Sequence, residues 1–270
     1  MRERTQRLRR FMTRFPKRVV AIAISVAVTT ALFAVAAPAQ DAPAQGGTDT
    51  KGWIELTSTG TFDAWKPPIA DWVEASEAKI DPKNPRLLTY ESGTGVIVNG
   101  PTGRTRNIVT KRSFGDVEFH LEFFIPKGSN SGVKFEGLYE VQIFDSFGKK
   151  TLKGSDCGGI YPKAELLPRY HYLDDGFPPK VNACKPPGEW QTLDVTFHAP
   201  RFNARGEKIK NARFDKVLLN GKLVQENAEL EHPTGHAWPK KEIPEGPILL
   251  QADHGPVAFR AIRVKPIAAE

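Results

Sequence analysis

The chain has 270 residues, 40% hydrophobic and 26% charged, a composition that excludes a disordered chain and a polytopic membrane protein and suits one main domain. Its net charge is +7, from 38 Lys and Arg against 31 Asp and Glu, but residues 1–39 hold 8 of the bases and one acid, so 30 of each sign remain. That neutral remainder lacks the field that draws a protein to phosphate, and nucleic acid is not an expected partner.

Arg2, Arg4, Arg7, Arg9, Arg10, Arg14, Lys17 and Arg18 precede an apolar run over 19–37, with small-residue patterns at Ala34-Val35-Ala36 and Ala37-Pro38-Ala39. Residues 1–39 therefore read as a cleavable export signal. The run is also long enough to cross a bilayer, which leaves an uncleaved membrane anchor as the alternative. In both cases the domain is expected outside the cytoplasm, periplasmic or secreted, or held at the membrane by this segment. Residues 40–51, rich in Ala, Gln, Gly, Pro and Thr, read as a flexible linker, and residues 52–267 as the folded domain.

Within the domain the apolar period is two, not 3.6. Over 116–125, Val117, Phe119, Leu121, Phe123 and Ile125 alternate with Asp116, Glu118, His120 and Glu122, which gives a strand one face of which enters a core. After Pro126-Lys127-Gly128, strands are expected over 131–136 and 138–144, with Tyr139, Val141 and Ile143 on one side and Glu140 and Gln142 on the other. Residues 192–198 and 213–219 follow, the latter meeting Leu223 and Val224 across Asn220-Gly221, a pair suited to the two positive φ angles of a type I′ hairpin. Two more strands fall at 247–251 and 257–264, and the slip of alternation between Phe259 and Ile262 predicts a bulge. Many short antiparallel strands imply an all-β, two-sheet sandwich. Its outward polar face, with Glu118, His120, Glu122, Glu140 and Gln142, is either a solvated surface or the lining of a groove.

Between 145 and 189 lies a long excursion poor in strand pattern, and connections of that length inside compact domains are usually functional. It carries both cysteines, Cys157 and Cys184. In an oxidising compartment such a pair is expected to bridge, worth about 3–4 kcal/mol by loop closure. No P-loop, dinucleotide glycine pattern, His-Glu-x-x-His or Gly-x-Ser-x-Gly is present. His232 and His236, separated by Pro233 and Gly235, read as loop residues of structural role, whereas His254 follows a strand at a turn where it can overhang a sheet.

The blocks Asn130-Ser131-Gly132-Val133, Tyr139 through Gly148, Cys157-Gly158-Gly159-Ile160-Tyr161, Pro186 through Gln191, Asn220-Gly221 and Asp253-His254-Gly255 with Phe259-Arg260 together resemble the 3-keto-disaccharide hydrolase domain family. The resemblance implies a concanavalin-like jelly roll and a carbohydrate substrate oxidised to a ketone at C3. Such a ketone acidifies the C2 proton, so a base can form an enolate that expels the C1 substituent before water adds. Residue chemistry and strand phase make Glu140 the candidate base, His254 the candidate acid, and Arg260 or Lys134 the cation at the enolate. Gln142, Lys134, Asp145, Tyr161, Glu189, Trp190 and Arg260 are the candidate substrate contacts. No ligand spacing marks a cofactor; a divalent metal is the alternative to the cation and would draw on Glu118, His120, Glu122 and Asp145. Two rival readings stand beside this one, a non-catalytic carbohydrate-binding module and a glycosidase with two carboxylates flanking the scissile bond.

Overall fold

The computed structural model describes residues 52–57, 62–100 and 102–268, all within one compact unit. The export signal expected over 1–39 and the linker expected over 40–51 lie outside the described residues. No helix occurs among them. In chain order the strands are β1 (Ile54–Glu55), β2 (Val73–Asp81), β3 (Asn84–Val98), β4 (Ile108–Phe114), β5 (Val117–Phe124), β6 (Asn130–Phe135), β7 (Tyr139–Phe144) and β8 (Ala164–Glu165). They continue with β9 (His171–Tyr172), β10 (Gln191–His198), β11 (Arg201–Phe202), β12 (Lys208–Lys210), β13 (Ala212–Leu219), β14 (Lys222–Leu230), β15 (Gly246–Leu250) and β16 (Ala258–Pro266).

A large sheet runs β14-β13-β10-β5-β16-β3-β2, with β1 paired to β16, and a smaller one runs β4-β15-β6-β7. All ladders of both sheets are antiparallel, and the all-β sandwich is the fold that the alternation predicts. The two sheets meet through aromatic rings. Phe135 of β6 lies 5.3 Å from Phe119 of β5, 5.1 Å from Phe197 of β10 and 5.4 Å from Phe214 of β13, at stacked or edge-on angles that suit ring quadrupoles. Leu121, Phe123, Val133, Val141, Ile143 and Phe259 complete this core, all fully buried.

Two local expectations hold in detail. Asn220 and Gly221 take φ of 52° and 74°, the two left-handed positions of the hairpin between β13 and β14. The ladder of β16 on β5 shifts register between Arg260 and Arg263, with Ala261 at φ 49°, which is the bulge that the slipped alternation marks. The long hairpin of β2 and β3 was not legible in the same way. Its Ala75 and Ala78, with Glu74, Glu77 and Lys79, are weak strand formers, and the hairpin joins the large sheet through the β3–β16 ladder and an apolar cluster that Ala75, Ala78, Leu88, Val96 and Val98 share with Phe124 and Ala258.

The 145–189 excursion contains only the short β8–β9 ribbon, but its start completes the small sheet. Gly158 donates to Gln142 O and Gln142 N to Gly159 O, both at 2.9 Å, and Tyr161 N donates to Glu140 O at 3.1 Å, so 158–161 closes the free edge of β7. The two cysteines expected to bridge in this excursion lie together here in their reduced form. Cys157 and Cys184 are buried free thiols close enough to hydrogen-bond to each other, and Cys184 Sγ also donates to Lys185 O at 3.4 Å, so both S–H groups are satisfied without a covalent bond.

Candidate active site

Strand phase builds the floor of a pocket on the outward face of the small sheet. On β6, Val133 and Phe135 point inward, which turns Asn130, Gly132 and Lys134 outward; on β7, Tyr139, Val141 and Ile143 are inward, which turns Glu140 and Gln142 outward. The ladder sets Lys134 opposite Glu140 and Gly132 opposite Gln142. Cross-strand neighbours of opposite charge then pair, Lys134 Nζ to Glu140 Oε2 at 2.9 Å, with the side chains 11% and 2% exposed. Gly132 makes room for this. A Cβ at that position would stand 2.2 Å from Glu140 Oε1, so only glycine lets the carboxylate lie over the β6 backbone. The Glu140 backbone is fixed from its other side by Thr234, whose Oγ1 accepts from Glu140 N at 3.0 Å and donates to Leu138 O at 2.9 Å.

The pocket above this floor has a volume of about 380 Å³ and is lined by Asn130, Lys134, Glu140, Gln142, Tyr161, Leu166, Tyr170, Gly235, His236, Gln251 and His254. That size lies in the range of small-molecule sites. Gln142 Nε2 donates to Asn130 Oδ1 at 2.9 Å, while Gln142 Oε1 and Gln251 Oε1 are buried without any hydrogen-bond partner. Two orphaned acceptors in one lining are an unmet demand for donors, which a ligand bearing hydroxyls supplies. The Tyr161 hydroxyl bonds those of Tyr170 at 2.9 Å and Tyr172 at 3.2 Å, forming a wall. Burial raises the pKa of both Tyr161 and Tyr170, so they face the pocket as neutral phenols.

Two imidazoles complete the lining. His254 Nδ1 lies 2.7 Å from Asp253 Oδ1, which fixes the proton on that nitrogen and leaves Nε2 to exchange one. His236 is held below the ordinary histidine range by burial and by the charges of Lys134 and Lys240, and is therefore neutral at neutral pH. The sequence reading assigned His236 a structural role because Pro233 and Gly235 exclude a helix. It is indeed in a loop, but that loop folds over the floor. His232 instead faces Asp174, at 3.4 Å, in a neighbouring cleft.

Of the residues expected at the site, Glu140, Gln142, Lys134, Tyr161 and His254 come together. The others do not. Glu118, His120, Glu122 and Arg260 are on the outward face of the large sheet, where Lys265 pairs with Glu118 at 3.1 Å, Asp194 with His120 at 2.6 Å and Arg260 with Glu122 at 2.6 Å. Trp190 packs there too, 4.0 Å from the Arg260 guanidinium and 5.4 Å from Phe124, and Glu189 is exposed beside it. Asp145 terminates β7 and accepts from Gly128 N at 2.8 Å without lining the pocket. The metal set Glu118, His120, Glu122 and Asp145 is thus divided between two sheets, and no group of three or more metal-ligating side chains occurs among the described residues. The outward parity was right for Glu118, His120 and Glu122; what parity does not specify is which sheet a strand joins.

Asn130, His236, Gln251 and Tyr170 were missed. Asn130 shares parity with Lys134, and Gln251 ends the strand expected over 247–251, so both were within reach of the alternation argument. His236 and Tyr170 sit in loops, where no period marks them.

Two solved structures from Parabacteroides distasonis, each provisionally named a glycosyl hydrolase, share the fold. One is 24% identical over 80% of this chain and 84% of its own, with a TM-score of 0.59, and the other is 21% identical over 80% and 99%, with a TM-score of 0.51. No curated protein matches the chain. Residues 52–265, nearly the whole described domain, match the model of the 3-keto-alpha-glucoside-1,2-lyase-like domain. A jelly-roll sandwich, a hydroxyl-seeking pocket and this match agree: the chain belongs to the 3-keto-alpha-glucoside-1,2-lyase-like domain family, a family of carbohydrate-active enzymes.

Proposed function

We propose that this domain cleaves the glycosidic bond of 3-keto-glycosides by elimination across C1 and C2 followed by addition of water. The observation that carries the reading is the Lys134–Glu140 pair on the pocket floor. Glu140 takes the C2 proton, and the electrons of that bond form the enolate with its charge on the C3 oxygen. Lys134 loses its counter-charge at that moment and pairs with the new oxyanion, so the negative charge moves from carboxylate to enolate without leaving the ammonium. Collapse of the enolate restores the ketone, forms a C1–C2 double bond and breaks the C1–O bond, and His254 protonates the departing oxygen. Water then adds at C1, giving a proton to His254 while the Glu140 carboxyl, whose proton exchanges with solvent before the addition, protonates C2, so one water is consumed and both side chains are restored.

The carboxylate count supports this chemistry over a two-carboxylate glycosidase. Glu140 is the one carboxylate in the lining among the described residues, and a glycosidase needs a second at roughly 5–9.5 Å. A binding module needs no buried acid–base pair at all. Gln142, Gln251, Asn130 and the tyrosine wall are assigned to the sugar hydroxyls. The test is Glu140→Gln, which keeps size and most hydrogen bonding and deletes the base. Turnover of a 3-keto-glycoside should fall by about 10²–10⁴-fold with keto-sugar binding retained. Near-normal turnover by the folded variant would remove Glu140 from the mechanism.

A further inference from the structure

The central pocket opens on two sides, and the two differ in chemistry. On one, it shares Asn130, Gln142 and Tyr161 with a polar cleft of about 320 Å³ that includes Lys149, Lys153 and Asp156. On the other, it shares Leu166 and His236 with a shelf of about 280 Å³ built from Ala164, Glu165, Leu166, Leu167, Trp238 and Pro239. Leu166 and Leu167 are 56% and 78% exposed, at the tip of the β8–β9 ribbon. Large apolar side chains left in water next to a pocket mark a surface meant to be covered. The ribbon holds them there firmly, because Ala164 N donates to Gly235 O at 3.1 Å and Lys163 Nζ lies 4.1 Å over the Trp238 ring, which ties the leucines to the loop carrying His236.

We propose that this shelf is the leaving-group subsite and that it selects a flat, apolar aglycone, making C3-oxidised aryl glycosides the preferred substrates over oxidised disaccharides. The inference rests on the elimination reading, which requires the C1 substituent to lie outside the sugar-binding floor. The shelf junction is formed by Leu166 and the neutral imidazole of His236, whereas the polar junction carries two amides bonded to each other and a phenol, groups that hold hydroxyls and suit the sugar. A second sugar, covered with hydroxyls, finds few partners on Leu166, Leu167, Trp238 and Pro239; an aromatic ring loses nothing by covering them.

The test compares kcat/KM for two 3-keto-glucosides, one with a phenyl and one with a glucosyl leaving group, on wild type, Trp238→Ala and Leu167→Ser. The second variant alters a side chain already mostly in solvent and so leaves folding intact. The expected result is a preference for the phenyl substrate that falls by at least about fivefold in each variant, while the glucosyl substrate changes little. Equal loss on both substrates, or a wild-type preference for the disaccharide, would overturn the shelf assignment. If neither substrate is cleaved, the elimination reading itself fails, and the shelf is judged by calorimetric binding of 2-naphthol. Binding weakened in both variants upholds an aryl site, and unchanged or undetectable binding overturns it.

Discussion

Gly132→Ala isolates the packing that holds the proposed base. Its added Cβ would lie 2.2 Å from Glu140 Oε1, 3.0 Å from Cδ and 3.1 Å from Cγ, all inside the roughly 3.5 Å of ordinary heavy-atom contact. Backbone strain is not the cause, since Gly132 is absent from the positive-φ positions, and at such a site alanine alone would stabilise by about 0.4–1 kcal/mol through the unfolded chain. Against this, the carboxylate must leave Lys134, and breaking a buried pair costs about 3–5 kcal/mol. The net loss is about 2–4 kcal/mol, or roughly 4–16 °C in Tm for a domain of this size, and activity should fall with it. Urea unfolding of the two single variants and the double variant Gly132→Ala/Glu140→Ala supplies the decisive cycle. Once Glu140 is truncated the new methyl group has space, so Gly132→Ala should become neutral or slightly stabilising, a coupling above about 2 kcal/mol. The same loss in both backgrounds would refute the argument that glycine is needed for the Glu140 carboxylate.

A second expectation concerns Glu136, at φ 57° in the turn between β6 and β7, whose two carboxylate oxygens are buried with no partner. Burial, with the neighbouring charges of Glu242, Asp116 and Glu245, pushes its pKa from 4.5 up to about 9. The folded state therefore holds a proton that the unfolded state releases, so this contribution is complete below 4.5 and is lost as pH rises toward about 9, by at most about 1.4 kcal/mol per unit. Glu136→Met should flatten that slope in urea unfolding across the window, and parallel curves for variant and wild type would contradict it. For Cys157 and Cys184, contact between the two thiols makes oxidation to a disulfide the expected outcome in an oxidising glutathione buffer, read as loss of two hydrogens in the intact mass; two thiols still open to labelling after denaturation would contradict it.

Local patterns carried much of the fold. Alternation along β5, β7 and β10 fixed which side chains enter the core, Asn220-Gly221 fixed a hairpin, and the slip near Ala261 located a bulge, because each is decided by neighbours in sequence. Strand order is decided elsewhere. β5 pairs with β10 and β16 and not with β6, its neighbour in the chain, so Glu118, His120 and Glu122 face outward like Glu140 but from the opposite side of the sandwich. Glu140, Gln142 and Lys134 were found together because one hairpin carries all three. His254 reached the same pocket by following β15, an inner strand of the small sheet, while His236 and Tyr170 depend on loops whose course only tertiary hydrogen bonds determine.

The central claim is that cleavage requires the C3 ketone. It is tested most directly by incubating the domain with a 3-keto-glycoside and, in parallel, with the same glycoside bearing a C3 hydroxyl, and measuring the aglycone released. Without the ketone the C2 proton is not acidic enough for a carboxylate to remove, so release is predicted from the keto compound alone, with deuterium incorporated at C2 when the reaction is run in D₂O. Release from both compounds at comparable rates, with no deuterium at C2, would contradict the elimination account.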